Sequence, residues 1–244
     1  MKDIHFIMPM AGRGARFLKE RYDIPKPLLE INGKPFFYWA TKSIQKFGNI
    51  KSLTFIVLKE HIEHFQIDQK IQDFFKNANI VALPEVTTGA VITCLSGCEN
   101  IHDDLPIVIN DCDHMFESTE LQEFCEGETD EYDGIILTFH SNDAKYSYVT
   151  KDMNGNAIRT VEKEVISGDA ICGCYYFRNV SLFREISQEY LQACCYKEFY
   201  VSGLYNVMIN HGMRVHCMLV DQHISFGTPE EYMNVKEQLE STKL

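Results

Sequence analysis

The chain has 244 residues, 45% hydrophobic and 24% charged, a balance that supports one sizeable globular core and excludes disordered, collagenous and coiled-coil proteins. Its 23 Lys and Arg against 35 Asp and Glu give a net charge of −12, which argues against a general nucleic-acid binder, whose footprint is basic. The charge is uneven: residues 1–34 carry seven bases and four acids, whereas residues 77–144 carry fifteen acids and no Lys or Arg.

In chain order, the N-terminus has an early acid, Asp3, and an apolar run too short for a signal peptide. No stretch of about 18 apolar residues follows, so the expectation is a cytoplasmic protein with no membrane association. Residues 4–10 read as a buried strand, and residues 35–47 place Phe36, Trp39, Ala40, Ile44 and Phe47 at helical spacing before a Gly48 stop. Strands at 53–58 and 79–83 flank a helix predicted over 61–75, with Ile62, Phe65, Ile71, Phe74 and Phe75 as its apolar face. A helix from Gly89, a strand at 106–110, an acidic helix at 117–126 and a strand at 134–140 follow. Short apolar runs alternating with helical patterns are the signature of βαβ units and a largely parallel sheet.

The second half begins with a hairpin, 146–150 and 157–162 around an Asn154-Gly155 turn. A strand at 171–177, helices at 180–195 and 200–210, a strand at 214–220 and a helix at 229–239 opening on Pro229 complete the reading. The expected fold is α/β: a Rossmann-like, mixed but mainly parallel sheet flanked by helices, with a smaller hairpin region walling a ligand site. Nine cysteines, among them Cys94/Cys98, Cys172/Cys174 and Cys194/Cys195, match no zinc spacing and read as reduced, mostly buried thiols.

Directly after the first strand stands Met10-Ala11-Gly12-Arg13-Gly14-Ala15-Arg16-Phe17. Glycines at a strand-to-helix turn let backbone N–H groups approach a phosphate, and Arg13 and Arg16 offer guanidinium forks to its oxygens. Phe17 stands where a dinucleotide fingerprint wants its third Gly, and no Gly-Lys-Ser/Thr follows, so neither the Rossmann nor the Walker motif is met. In Pro25-Lys26-Pro27 the prolines stiffen the backbone on both sides of Lys26, presenting its ammonium rigidly. Asp111 and Asp113 end the 106–110 strand, where open α/β sheets bind ligands, and strand alternation points them the same way. Such a pair suits Mg²⁺ or Mn²⁺, with water and phosphate oxygens completing the shell. His114 reads as an adjacent polar residue.

Gly12-x-Gly14-x-Arg16-Phe17, Pro25-Lys26-Pro27-Leu28 and Gly33-Lys34-Pro35, in that order, resemble the signature of the sugar-phosphate nucleotidyltransferase (nucleoside-diphosphate-sugar pyrophosphorylase) family. Leu83-Pro84-Glu85 with Thr88-Gly89-Ala90 is similar to the family's base-recognition segment, and Asp113 to its metal aspartate. Val161-Glu162-Lys163 with Gly173-x-Tyr175 resembles its acceptor-binding strands, and Gly227-Thr228-Pro229-Glu230 its late turn. Two positions depart: Ala15 replaces a usual Ser or Thr, and Ser225 stands where many members place a second metal-binding Asp, leaving that role to Asp111 or Asp221, or the ion to Asp113 with water and phosphates alone.

The resemblance implies a nucleotidyltransferase in which an acceptor phosphate attacks the α-phosphorus of a nucleoside triphosphate and expels pyrophosphate. Met10, Ala11, Gly12, Arg13, Gly14, Glu85, Thr88, Gly89 and Asp111 would hold the nucleotide, with Arg16 and Lys26 catalytic. Glu162, Lys163, Gly173 and Tyr175 would hold the acceptor, and Asp113 the Mg²⁺ or Mn²⁺. CTP is the favoured nucleotide. The acceptor is a sugar 1-phosphate or a smaller compound such as phosphocholine, glycerol phosphate or a phosphorylated amino-acid derivative, giving an activated precursor for surface polysaccharide.

One domain is expected over 1–244: a nucleotide half to about 140, acceptor elements over about 141–228 and a C-terminal helix over 229–244. The sequence ends soon after Gly227-Thr228-Pro229, which predicts no appended β-helix, and a homo-oligomer stays open because no stripe marks an interface. The alternatives are a metal-dependent Asp-x-Asp glycosyltransferase and a non-catalytic nucleotide-binding relative. The cationic glycine loop and the Asp111/Asp113 pair should face each other across one nucleotide; Arg16 and Asp113 on opposite faces of the sheet would contradict this reading.

Overall fold

In the computed structural model, residues 1–127 and 131–241 are described; the expected C-terminal helix therefore has residues 242–244 outside the described part. β1 (Asp3–Pro9) leads through the glycine turn to the short helix α1 (Ala15–Lys19), then a 3₁₀ turn (Lys26–Leu28), the strands β2 (Glu30–Ile31) and β3 (Lys34–Pro35), and α2 (Phe36–Ile44). β4 (Asn49–Leu58), α3 (Lys59–Phe65), α4 (Ile67–Phe74), β5 (Asn79–Leu83), α5 (Ala90–Cys98) and β6 (Ile107–Asn110) complete the alternating half. Then come β7 (His114–Glu117), α6 (Thr119–Glu126), β8 (Gly134–His140), β9 (Ser147–Lys151), β10 (Ala157–Glu162) and β11 (Asp169–Phe177). α7 (Val180–Ala193), a 3₁₀ turn (Val201–Gly203), α8 (Leu204–Asn210), β12 (Val215–Leu219), β13 (Gln222–Ser225) and α9 (Pro229–Ser241) close the chain.

Among the described residues, nine strands form the central sheet, in the order β10-β9-β11-β6-β1-β4-β5, with β8 beside β11 and β12 beside β8. β1 runs parallel to β4 and β6, β4 to β5, and β12 to β8, whereas β11 is antiparallel to β6 and β8. This is the mixed, mainly parallel, helix-flanked sheet that the alternation predicts. β1 is buried on both faces: Phe6 and Met8 pack into the layer with Phe37, Phe55 and Ile71, while Ile7 packs into the layer with Val91, Phe183 and Tyr205. That period of two is what a strand sandwiched between helical layers requires.

A third cluster, Phe17, Leu29, Ile31, Phe36, Phe226, Tyr232 and Val235, clamps α1, the β2–β3 ribbon and α9 together. It fixes the glycine loop and the Lys26 segment against the end of β13. Phe36 and Phe226 are its closest ring pair, with centroids 4.5 Å apart.

The structure corrects the single helix predicted over 61–75. Gln66 adopts φ 54° and separates α3 from α4. Phe65 is partly buried against the core and Ile67 fully buried, yet two residues apart on a continuous helix they would point nearly opposite ways, so the break lets both reach the core. Glu117 belongs to β7, and α6 starts at Thr119 with the Ser118 side chain capping Leu121 N. The helix expected from 200 begins as the 3₁₀ turn Val201–Gly203. No helix among the described residues is long and apolar enough to cross a membrane.

Candidate active site

β1 delivers the chain to the site: Met10 N still bonds the Ile56 carbonyl at 2.8 Å, after which residues 11–14 leave the sheet. Gly14 sits at φ 59°, ψ 34° as the N-cap of α1, and a Cβ there would lie 3.3 Å from Lys26 Cβ. Only a glycine takes this left-handed conformation readily, and here it brings the loop against the Pro-Lys-Pro segment. The Lys26 backbone is held in turn by Leu28 N bonding Pro25 O at 2.8 Å and Leu29 N bonding Lys26 O at 3.1 Å.

From that fixed base Lys26 Nζ donates to Asp113 Oδ2 at 2.8 Å, both side chains being 25% exposed. Arg16, Asp111, Asp113, Glu162, Lys163, Gly173 and Tyr175 line one cavity of about 270 Å³. The cationic loop and the acidic pair therefore do face each other, as the charge distribution required.

Asp111 N bonds Gly173 O at 2.9 Å, and Asp113 O accepts Phe226 N at 2.9 Å, so β11 and the chain after β13 clamp the two aspartates. Each carboxylate lies over a glycine: a Cβ at Gly173, itself at φ 92°, would fall 2.8 Å from Asp111 Oδ2, and one at Gly227 would fall 2.6 Å from Asp113 Oδ2. Burial disfavours charge on both groups. At Asp113 the Lys26 ammonium and its hydrogen bond outweigh burial and hold the pKa below its ordinary value. At Asp111 burial and the charge of Asp113 push the pKa up to about 7, with Lys26 only partly offsetting them. Burial also opposes the charge on Lys26, but Asp113 prevails and raises its pKa.

This pair lacks positive charge that one lysine does not fully supply. Two hard oxygen donors, each over a glycine that leaves it room, fit Mg²⁺ or Mn²⁺, which takes one or two carboxylates and fills its shell with water and phosphate. Among the described residues no group of three or more His, Cys, Asp or Glu is placed to hold a metal.

A second cavity, of about 620 Å³, is walled on one side by Ala11, Gly12, Arg13 and Gly14 and on the other by Thr87, Thr88 and Gly89. It shares Ala90 and Asp111 with the first cavity, so the two adjoin at Asp111. In the smaller cavity Glu162, at the end of β10, accepts from Ser147 Oγ and from Ser202 Oγ. Lys163, at φ 56°, directs Nζ to Tyr200 Oη at 2.8 Å. On the facing wall Glu231 accepts from Tyr146 Oη at 2.6 Å and pairs with Lys145 at 3.0 Å.

Three sequence-picked residues lie apart from this arrangement. The side chain of Met10 is buried in the core, leaving its backbone beside the loop. Glu85 is exposed beyond β5 and lines neither cavity. Asp221 spends its carboxylate on Thr119 N and Oγ1, at 2.6 and 2.8 Å, at the start of α6. It lies four residues, about 13 Å of strand, from Ser225. Sequence reasoning missed Lys145, Tyr200 and Glu198, whose segments carry no motif and reach the site only through tertiary packing, and Glu231, one residue past the Gly227-Thr228-Pro229-Glu230 turn that signalled it.

Comparison with known proteins identifies the family and the fold. The chain matches the family model described as nucleotidyl transferase over residues 7–242. It is 26% identical over 226 residues to the bifunctional protein GlmU of Aliarcobacter butzleri, covering 88% of this chain and 48% of that one, so it spans about half the length of this curated relative. A nucleoside-diphosphate-sugar pyrophosphorylase from Vibrio cholerae RC9 superposes with a TM-score of 0.82 at 25% identity, covering 96% of this chain and all of that one (100%). An inositol-1-phosphate CTP transferase from T. maritima shares the fold at a TM-score of 0.77 and 12% identity, over 98% and 97% of the two chains.

Proposed function

The chain belongs to the nucleotidyl transferase family, and from that premise we propose that it transfers a nucleoside monophosphate from CTP to a phosphorylated small-molecule acceptor, releasing pyrophosphate. The observation that carries this reading is the contact of Lys26 with Asp113, a carboxylate that lines one cavity with Arg16 and Asp111, which sets phosphate-binding cations against the carboxylate pair. The elements to about residue 140 supply most of the nucleotide cavity, and those over 141–228 most of the acceptor cavity. A sugar 1-phosphate is the favoured acceptor, in line with the name of the Vibrio cholerae relative.

The acceptor phosphate is already an ionised nucleophile, so in-line attack on the α-phosphorus calls for positioning and charge stabilisation more than for a general base. N–H groups of residues 12–14, with Arg13, hold the β- and γ-phosphates. Arg16 and Lys26 meet charge developing around the α-phosphorus. Lys163, exposed and, against partial desolvation, with its pKa raised by Tyr200 and neighbouring acids, holds the acceptor phosphate. Asp113 and Asp111 would hold Mg²⁺ or Mn²⁺, which when bound neutralises phosphate oxygens.

The test is a panel of CTP, UTP, dTTP, GTP and ATP against sugar 1-phosphates, phosphocholine and glycerol phosphate, read by pyrophosphate release with Mg²⁺. Pyrophosphate that requires both CTP and one acceptor is the expected result. Consumption of a nucleotide sugar without pyrophosphate would instead identify an Asp-x-Asp glycosyltransferase, and nucleotide binding without turnover a non-catalytic relative.

A further inference from the structure

The larger cavity contains a charge that phosphate binding does not call for. Its charged lining residues among those described are Arg13, Asp111 and Glu198. Arg13 and the glycine loop mark the phosphate end, and Asp111 the end shared with the acceptor cavity. A carboxylate beside a triphosphate is repelled where no cation stands between them, and Glu198 has none paired with it among the described residues, so it suits an uncharged part of a bound nucleotide bearing hydrogen-bond donors.

Its placement agrees. The segment around Glu198 is fastened over the Thr88–Gly89 turn, opposite the glycine loop: Phe199 N bonds Thr88 O at 3.1 Å, and Val91 N bonds Phe199 O at 3.0 Å. A Cβ at Gly89 would lie 2.3 Å from Phe199 N, so the segment rests directly on that glycine. Glu198 is exposed, and it takes part in no hydrogen bond or ion pair among the described residues. Lys163 senses its charge at longer range.

We propose that Glu198 is a specificity residue that accepts a hydrogen bond from the exocyclic amino group of the nucleobase, so that CTP is used in preference to UTP or dTTP. The inference rests on the nucleotidyl-transfer reading. Cytosine presents N4–H₂ donors where uracil and thymine present the O4 acceptor, and a carboxylate pairs with the first and repels the second. One such contact discriminates about tenfold to hundredfold. Ribose hydroxyls are also donors, but a contact to them is blind to the base.

The experiment compares kcat/KM for CTP, UTP and 2′-deoxy-CTP in the wild type, Glu198→Gln and Glu198→Ala, alongside CTP and UTP binding in the presence of Mg²⁺ by equilibrium dialysis. Wild-type protein should favour CTP over UTP by at least about tenfold, and Glu198→Gln, whose amide both donates and accepts, should collapse that ratio. A wild-type preference for UTP or dTTP, or parallel losses for CTP and UTP in the variants, would overturn the inference. If no acceptor supports turnover but Glu198→Gln abolishes CTP-selective binding, the base contact stands and the transfer reading falls.

Discussion

Replacing Lys26 with alanine removes an ammonium 2.8 Å from Asp113 Oδ2 at a point where both side chains are only a quarter exposed. Two unit charges at that separation attract by about 6 kcal/mol at an effective dielectric of 20 and by about 1.5 kcal/mol in water. Desolvation of the lysine consumes much of this, leaving an expected stability loss of about 1–3 kcal/mol in urea unfolding. The larger effect falls on turnover: loss of one preorganised cation at the reacting phosphorus should lower kcat by about 10²–10³. Divalent metal binding separates the roles. Without Lys26 the two carboxylates lose their internal counter-charge, so Mn²⁺ binding to the nucleotide-free protein, followed by electron paramagnetic resonance, should tighten. Lys26→Met, which keeps the aliphatic stem, should behave alike. Unchanged turnover would remove Lys26 from the chemistry, and unchanged or weaker Mn²⁺ binding would refute its competition for Asp113.

Gly227→Ala should weaken Mn²⁺ binding by at least about tenfold with little change in melting temperature, because the new Cβ would stand 2.6 Å from Asp113 Oδ2; unaltered metal affinity would count against Asp113 as a ligand. Gly89→Ala, at φ 153° and 2.3 Å from Phe199 N, should cost about 1–3 kcal/mol of stability and erase base selection together, and a stable, still selective variant would contradict the packing described. Burial takes the pKa of His114 down to about 4, and burial with repulsion from His114 takes His223 down to about 3, so both rings stay neutral in the folded protein well below pH 6.5. The unfolded chain protonates its histidines near 6.5 and so binds more protons as pH falls. Asp111, raised to about 7, takes up a proton in the folded state over the same range and offsets one histidine, so stability should decline from pH 6.5 downward by up to about 1.4 kcal/mol per pH unit, levelling only below the folded histidine pKa values. Urea midpoints unchanged between pH 7 and 5 would disprove it.

The parts of the fold set by local pattern were legible: 79–83, 134–140 and 157–162 are strands at the predicted bounds, and the glycine loop and aspartate pair stand at the strand ends where their chemistry suggested. What escaped was non-local. β7 and β13 pair across roughly a hundred residues as four-residue strands, too short to show alternation, yet this ribbon brings Phe226 and Gly227 to Asp113. The helix break at Gln66 follows from Phe65 and Ile67 sharing one core, a conflict of phase visible in the sequence once both are known to be buried. Glu85 sits inside a motif, but β5 ends at Leu83 and Glu85 is exposed beyond it. Glu198 has no motif, and only the backbone docking of Phe199 on Gly89 reveals it.

The central claim, that one nucleotide lies between the cationic loop and the aspartate pair and passes its nucleoside monophosphate to the acceptor, is tested most directly by following isotope. CTP labelled with ³²P at the α-position should pass its label to an acceptor-linked diphosphate, while label at the γ-position should leave as pyrophosphate, both only when acceptor and Mg²⁺ are present. Transfer of γ-label to the acceptor, or its release as orthophosphate, would contradict the account.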